Sequence, residues 1–249
     1  MNLVTVLCLA GTAPAMLAAA DVTYAGKWKL NPAKSQLTGE VVSIEKTANG
    51  MLRFSKGDFS YVVNIDGKEY PLPGGGTTSW KQVDANDWEI TNRLSGNSVV
   101  VKVQVKGDTR VSTTTIHKAD GGTVEQSGVS TRISGGPGLL GKWKSSEVKA
   151  GATVFEIASD GADGITIGDP TEGIVCKARF DGKDSPCTGA TYMLSFKSTG
   201  LRSFQLTTKL DGKPVYIDTY TVSADGKTLT DDGTPITVKE PTRAVYDRQ

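Results

Sequence analysis

An internal repeat with an offset of 115 residues is the feature that most constrains the architecture of this chain. Gly26–Lys29 (GKWK) returns as Gly141–Lys144, and Asp66–Glu69 (DGKE) returns as Asp181–Asp184 (DGKD). Solenoid repeats have periods of ~20–50 residues, whereas ~100–150 residues is an ordinary domain size. The shared offset therefore predicts a duplicated domain rather than a solenoid.

The repeat divides the 249 residues into two parts. We assign residues 21–134 to the first repeat, 135–140 to a Gly/Pro linker and 141–249 to the second repeat, because the GKWK motif restarts after the glycine-rich run. The charges are balanced, with 28 Lys and Arg against 27 Asp and Glu, and no block of like charge stands out. Nucleic-acid binding needs a clustered basic surface, so we expect no nucleic-acid partner.

Residues 1–20 contain no charged side chain and hold an apolar run at Leu3–Leu9. Ala18–Ala20 supplies the small residues of a cleavage site, so the segment predicts a secretory signal peptide and an exported protein, periplasmic or secreted. Glycine and proline interrupt the segment, and its uninterrupted apolar stretch is too short for a membrane helix. We therefore expect no membrane span in the mature chain.

Turn signals and alternating residues dominate the rest of the chain. Asp-Gly occurs eight times, and Asn49-Gly50 adds a ninth dipeptide of the type that tight hairpins favour. Stretches such as Tyr61–Ile65 and Val99–Val105 alternate between apolar and polar residues, which is typical of an antiparallel meander. We predict an all-β fold of two tandem antiparallel meander β-barrels, lipocalin-like in shape, with about eight strands each. The alternative is one larger sheet or sandwich shared by both halves.

Two cysteines, Cys176 and Cys187, remain once the leader is removed. An even number of cysteines in an exported chain suggests a disulfide. A two-residue turn at Asp181-Gly182 would place the two directly opposite each other, with Cβ atoms ~4.5–5.5 Å apart, close to the span that a disulfide needs. We therefore predict a Cys176–Cys187 disulfide. Reduced thiols are the alternative, and Pro186 indicates an edge strand or a bulge that could shift the register.

Five segments carry a family resemblance: Gly26–Ser35 (GKWKLNPAKS), Asp66–Pro71 (DGKEYP), Asp181–Gly189 (DGKDSPCTG), Val222–Thr230 (VSADGKTLT) and Val245–Gln249 (VYDRQ). In these motifs the chain resembles an uncharacterised family of exported bacterial domains, here in tandem duplication. The resemblance implies an exported, β-barrel-like domain and no known activity. The Gly-x-Trp that opens each repeat is also similar to the first strand of lipocalin-type barrels, in which the Trp plugs the closed end.

Catalytic and cofactor motifs are either missing or imitated. His117 is the sole histidine, which excludes a zinc site built on several histidines. Gly136–Lys142 imitates a phosphate-binding loop, but Trp143 stands where a Ser or Thr should contact Mg²⁺. Ser159–Gly164 has acidic spacing that could suit Ca²⁺, although two overlapping turns explain it more simply. We expect no catalytic residue, no metal site and no cofactor.

Aromatic side chains are the remaining candidates for a ligand site. We select Trp28, Trp88, Trp143 and Phe204 as the candidate cavity lining, although such residues more often fill a core. Further aromatic candidates are Tyr61, Tyr192, Phe196, Tyr216 and Tyr220.

Three functions are compatible with these observations. The favoured one is a non-catalytic exported binding module for a small apolar ligand or a glycan. The first alternative is a structural or envelope-associated protein that acts through its surface. The second is a carboxylate-based hydrolase, which requires two buried carboxylates at one cleft. The sequence predicts nothing about the oligomeric state.

Overall fold

The computed structural model describes residues 23–94, 96–150, 153–169, 174–188, 190, 192–237 and 241–249. The predicted signal peptide at residues 1–20 lies outside these ranges. One 3-10 turn, Pro32–Lys34, follows the first strand. The strands in chain order are β1 (Gly26–Leu30), β2 (Val41–Lys46), β3 (Leu52–Lys56), β4 (Phe59–Val63), β5 (Glu69–Pro71), β6 (Thr77–Gln82), β7 (Asp87–Leu94), β8 (Asn97–Lys106), β9 (Thr109–His117), β10 (Thr123–Ser134), β11 (Gly141–Lys149), β12 (Val154–Asp160), β13 (Gly164–Asp169), β14 (Ile174–Arg179), β15 (Asp181–Thr188), β16 (Met193–Gly200), β17 (Ser203–Leu210), β18 (Lys213–Val222), β19 (Thr228–Pro235) and β20 (Thr242–Arg248).

These strands form two antiparallel sheets of ten strands each, which confirms the predicted all-β fold of two barrels. The closed barrel consists of β1 and β12–β20. The open barrel consists of β2–β11, is nearly closed, and has β4 and β5 as its edges. Each barrel has ten strands, where the sequence predicted about eight. In the open barrel, Gly57 and Gly107 make further tight turns, with positive φ angles of 54° and 60°. Both precede an Asp rather than follow one, so a search for Asp-Gly misses them.

The two repeats exchange their opening strands. β1 pairs with β12 and β20, which belong to the second repeat. β11, the corresponding strand of the second repeat, pairs with β2 and β10 of the first. The exchange is reciprocal: β1 completes the barrel of the second repeat, and β11 completes the barrel of the first. The first and last strands of the chain are therefore neighbours.

The boundaries of the repeats and those of the sheets differ. Residues 21–134 and 141–249 mark the duplication in the sequence, but the open barrel spans residues 41–149 and the closed barrel combines 26–30 with 154–248. Residues 135–140 join β10 to β11 within the open barrel rather than linking two barrels. The chain crosses between barrels at its two other connections, from β1 to β2 and from β11 to β12.

The repeated DGK motif has the same local structure in both copies. The carboxylate of Asp66 accepts a hydrogen bond from the backbone N–H of Lys68, and that of Asp181 accepts one from Lys183, each at 3.0 Å. The glycine between them has a φ angle of 74° in the first copy and 73° in the second. Only glycine adopts this left-handed region without strain, which explains why the motif survives in both repeats.

The Cys176–Cys187 disulfide is present, and its residues are paired across β14 and β15 as the sequence predicted. The pairing between β14 and β15 extends to one further residue pair, Val175 with Thr188. An offset of 115 residues relates these two strands to β4 and β5, the edges of the open barrel. The disulfide therefore joins the closed barrel at the position where the open barrel has its gap.

Candidate functional site

One end of each barrel is plugged by a tryptophan beneath an arginine. The indole N–H of Trp28 donates to the backbone carbonyl of Tyr24 at 2.8 Å, and the guanidinium carbon of Arg248 lies 4.2 Å from the ring centre. Trp143 likewise donates to a carbonyl four residues earlier at 2.9 Å, with Arg132 at 4.1 Å. Both tryptophans are fully buried, so their rings fill the barrel interior at these positions.

The four residues predicted to line a cavity lie in the packed cores. Trp28 and Phe204 belong to the core of the closed barrel, and Trp88 and Trp143 to that of the open barrel. The structure therefore brings them together only in pairs, and none of the four lines the cleft described next. Trp28, Trp143 and Phe204 are fully buried, as large apolar side chains on inward-facing strand positions often are. Trp88 also lines two clefts of the open barrel, of about 410 and 540 Å³.

A cleft of about 330 Å³ opens where the two barrels meet. Phe59 of the open barrel and Tyr216 and Pro235 of the closed barrel form apolar parts of its wall. The contact between the barrels is held beside it by Asp58, whose carboxylate accepts hydrogen bonds from the hydroxyl and the backbone N–H of Thr237, the latter at 3.0 Å. Both barrels contribute to the cleft, so neither alone would form it.

The charged side chains of the cleft balance each other. Glu40 and Asp58 are acidic, and Lys56 and Lys144 are basic. Lys56 forms an ion pair with Glu40 at 2.8 Å, and both side chains remain partly exposed. The wall therefore offers hydrogen-bond donors and acceptors without an excess of either charge.

The cleft is separated from the interior of the closed barrel by Tyr216. Its hydroxyl lies 2.7 Å from the hydroxyl of Thr242, which also lines the cleft. The tyrosine ring crosses Gly233, where an added Cβ would lie 2.6 Å from the ring and 2.8 Å from a carboxylate oxygen of Asp218. Asp232-Gly233 is thus a strand segment of β19, not the turn that its sequence suggested, and Gly233 makes room for the two side chains.

Behind Tyr216, on the neighbouring strands β18 and β19, Asp218 and Asp231 form a buried pair of carboxylates that affect each other's pKa. Burial and the charge of Asp231 raise the pKa of Asp218 to about 8, and burial raises the pKa of Asp231 to about 6. Two adjacent carboxylates cannot both ionise at low cost, so they share a proton at neutral pH. Tyr220 lies opposite Asp231 in the next strand, and burial raises the pKa of its hydroxyl well above the ordinary value.

Arg110 is the corresponding unusual group in the open barrel. It is only 9% exposed, and it faces the interior, opposite Val105 and Ser130, which are also buried. Its Nε has no hydrogen-bond partner among the residues that the structure describes. Burial lowers the pKa of the guanidinium to about 10, and the nearby Tyr61 hydroxyl partly opposes this effect.

These three charged residues are not predicted by the sequence patterns, for identifiable reasons. The many turn motifs of this chain explain an Asp most simply as a turn residue, although Tyr216, Asp218 and Tyr220 share the period of two that places them on one face of β18. Arg110 was hidden because Val111, its apolar neighbour, points outward and is 39% exposed. The register across the Gly107 turn would have revealed it, since that turn places Arg110 opposite the predicted inward residue Val105.

The two segments whose sequences are similar to a phosphate-binding loop and to a calcium loop have other roles in the structure. Carbonyls of the phosphate-loop lookalike, at Gly136, Gly138 and Leu140, accept hydrogen bonds from Arg132, so this loop presents acceptors where a phosphate would need donors. In the calcium-like segment, both carboxylate oxygens of Asp163 contact the guanidinium of Arg179, at 2.7 and 2.8 Å. Within the described ranges, no group of three or more His, Cys, Asp or Glu side chains is placed to hold a metal ion.

No protein family, curated protein or solved structure matches this chain. The resemblance to exported bacterial domains therefore stays a prediction. In the part of the chain that the structure covers, no helix has the length and apolar character needed to cross a membrane.

Proposed function

We propose that this is a non-catalytic exported binding protein that takes a small, uncharged polar ligand, a glycan fitting best, in the cleft between its barrels. The main support for this proposal is the cleft, where residues of both barrels surround a volume of about 330 Å³. That volume is at the lower end of the ~300–1,000 Å³ typical of ligand pockets, so a small ligand is expected.

The lining supports a glycan over a purely apolar ligand. Phe59 and Tyr216 offer aromatic surface against which a sugar ring can pack, and Pro235 adds apolar contact. The balanced charges of the wall offer both donors and acceptors to hydroxyl groups, and they would be poorly satisfied by a hydrocarbon.

Export is supported by the disulfide, because such bonds persist mainly in oxidising compartments. The predicted signal peptide and the family resemblance point in the same direction. A periplasmic or secreted location is part of the proposal.

Binding of neutral oligosaccharides, screened on a glycan array and measured by calorimetry, tests the function. We expect Phe59→Ala and Lys144→Ala to weaken binding by about tenfold, the equivalent of ~1.4 kcal/mol. Lys142→Ala is the matched control, because Lys142 lies two residues away on the same strand and outside the cleft. Equal losses for Lys142→Ala and Lys144→Ala, or no binding of any neutral glycan, would contradict the proposal and favour a surface-interaction protein.

A carboxylate-based hydrolase is the second candidate, and the Asp218–Asp231 pair is the observation that favours it. The two buried carboxylates affect each other's pKa, and glycosidases likewise use a pair of carboxylates, separated by ~5–9.5 Å. A proton-sharing pair of this kind fits the activation of a water molecule better than glycoside cleavage. Hydrolysis of a peptide library that is lost in both Asp218→Asn and Asp231→Asn, and kept in Asp232→Asn, would establish this function instead.

A further inference from the structure

The interior of the open barrel contains a buried positive charge without a counter-charge. Arg110 is about nine-tenths buried, its Nε has no hydrogen-bond partner, and none of the ion pairs between described residues includes it. Among the same residues, Tyr61 is the one titratable group whose charge affects it. Buried ionised groups are normally paired, because an unpaired one loses its hydration without compensation.

Apolar side chains lie beside Arg110 on the inward face of β8, and their burial decreases along the strand. Along β8, the inward-facing Val103 and Val105 are buried, whereas Val99 and Val101 on the same face are only half-buried. Other half-buried apolar side chains pack against this core, namely Val42, Phe54, Tyr61 and Tyr70. The barrel therefore presents partly exposed apolar surface beyond the level of the arginine.

A second polar group in this interior also lacks a partner. The carbonyl oxygen of the Asn92 side chain is buried without a hydrogen bond, and Asn92 lies opposite the fully buried Thr78. Two unsatisfied polar groups within one barrel indicate that its interior is complete only when something else occupies it.

We infer that the open barrel binds a small amphipathic anion, a monocarboxylate with an apolar chain, whose carboxylate pairs with Arg110. One guanidinium can bind one carboxylate through two parallel hydrogen bonds, which compensates a single charge. The half-buried valines and aromatic rings would cover the apolar chain. The gap between the edge strands β4 and β5 is a place where such a molecule could enter.

This site is separate from the proposed glycan cleft, and the two can fail independently. Arg110 does not line the cleft, and Lys144 does not face the barrel interior. Lys144→Ala should therefore leave binding of the anion unchanged, and Arg110 variants should leave glycan binding unchanged.

Calorimetric titration of the purified protein with decanoate, and with decan-1-ol as the neutral compound of equal chain length, tests the inference. We expect decanoate to bind at least about tenfold more tightly than the alcohol, because a hydrogen bond to a charged group contributes more than one to a neutral group. Arg110→Met should remove this preference, whereas Arg110→Lys should keep part of it. The matched control is Arg93→Met, since Arg93 lies on the exposed surface of the same barrel and pairs with Glu69.

Unfolding by urea supplies an independent readout. If the Arg110 guanidinium is unpaired in the ligand-free protein, Arg110→Met should unfold at a higher urea concentration than the wild-type protein, because the substitution removes an unpaired buried charge. Decanoate should raise the midpoint of the wild-type protein and not that of Arg110→Met. Equal affinity of the wild-type protein for acid and alcohol, unchanged decanoate binding in Arg110→Met, or a lower urea midpoint for that variant would each overturn the inference.

Discussion

The charges buried inside the barrels are opposite in sign and occupy different positions. The open barrel contains the cation of Arg110, and the closed barrel contains the acid pair Asp218 and Asp231. The plugged ends, in contrast, keep the same Trp and Arg arrangement in both repeats. Duplication has therefore preserved the residues that close each barrel, while the residues further inside have diverged.

The acid pair predicts that stability falls as the pH rises. The pKa of Asp218 is raised to about 8 in the folded state, whereas an unfolded Asp has a pKa of about 3.9. Between these values the folded protein binds more protons than the unfolded chain, so its free energy of unfolding decreases from about pH 4 to pH 8. Asp218→Asn cannot ionise, and we expect it to be more stable than the wild-type protein at pH 8, by at least about 1 kcal/mol.

Urea unfolding at pH 5 and at pH 8 measures this difference. Asp232→Asn is the matched control, because Asp232 is the next residue after Asp231 and its exposed carboxylate pairs with Arg243 at 2.6 Å. We expect Asp218→Asn, and not Asp232→Asn, to flatten the pH dependence of the free energy of unfolding. A wild-type stability that rises from pH 5 to pH 8 would show that the pair is not protonated in the folded protein.

Gly233 provides a test of the packing beside the acid pair. A Cβ at this position would lie 2.6 Å from the Tyr216 ring, and forcing an extra carbon into a packed site costs ~1–3 kcal/mol. We expect Gly233→Ala to lower the free energy of unfolding by this amount. Gly136→Ala is the control, since a Cβ there would meet no atom within 4 Å, and it should change stability by less than about 0.5 kcal/mol. Equal stability of the two variants would contradict the packing around Tyr216.

Among the strands of the closed barrel, β14 and β15 have the shortest backbone pairing. Among the described residues, two residue pairs join these strands, one of them the disulfide-bonded cysteines. In the open barrel the related strands β4 and β5 are edges. The disulfide thus supplies a connection at the place where strand pairing is shortest.

Removal of the disulfide should destabilise the protein measurably. The bond closes a short loop, with a sequence separation of 11 residues, for which chain entropy gives a stabilisation of ~3 kcal/mol. We expect the double variant Cys176→Ser, Cys187→Ser to lose about this much free energy of unfolding. Reductant should lower the wild-type stability to a similar extent and leave the double variant unchanged. A wild-type protein whose mass does not increase by about two daltons on reduction would show that the bond is absent.

The sequence could predict the strands and turns better than it could predict which strands pair with each other. The strand type, the Asp66 and Asp181 turns and the cysteine register all depend on nearby residues, and all three are present in the structure. The exchange of β1 and β11 could not be predicted, because both strands begin with GKWK and either could complete either barrel. Arg110 and Asp218 were missed because a charged residue on an inward position runs against the pattern from which strands are predicted.

At the scale of the whole molecule, the exchange makes the two barrels a single covalent and structural unit. The closed barrel needs β1 from the start of the chain, and the segment from β2 to β11 lies between β1 and β12 in the sequence. The cleft forms where the two barrels touch, close to the hydrogen bonds that Thr237 donates to the carboxylate of Asp58. The proposed glycan site therefore depends on an arrangement that neither repeat would produce alone.

Cross-linking of the first and last strands tests the strand exchange, on which this account depends. Lys29 lies opposite Asp247 in the structure. In an unexchanged barrel, Lys29 would instead occupy the place of Lys144, opposite Thr131. The protein with Lys29→Cys and Asp247→Cys should form the engineered disulfide under mild oxidation, as detected by mass spectrometry of the linked peptides, and the protein with Lys29→Cys and Thr131→Cys should not. Formation of the Lys29–Thr131 cross-link in place of the Lys29–Asp247 cross-link would contradict the exchange.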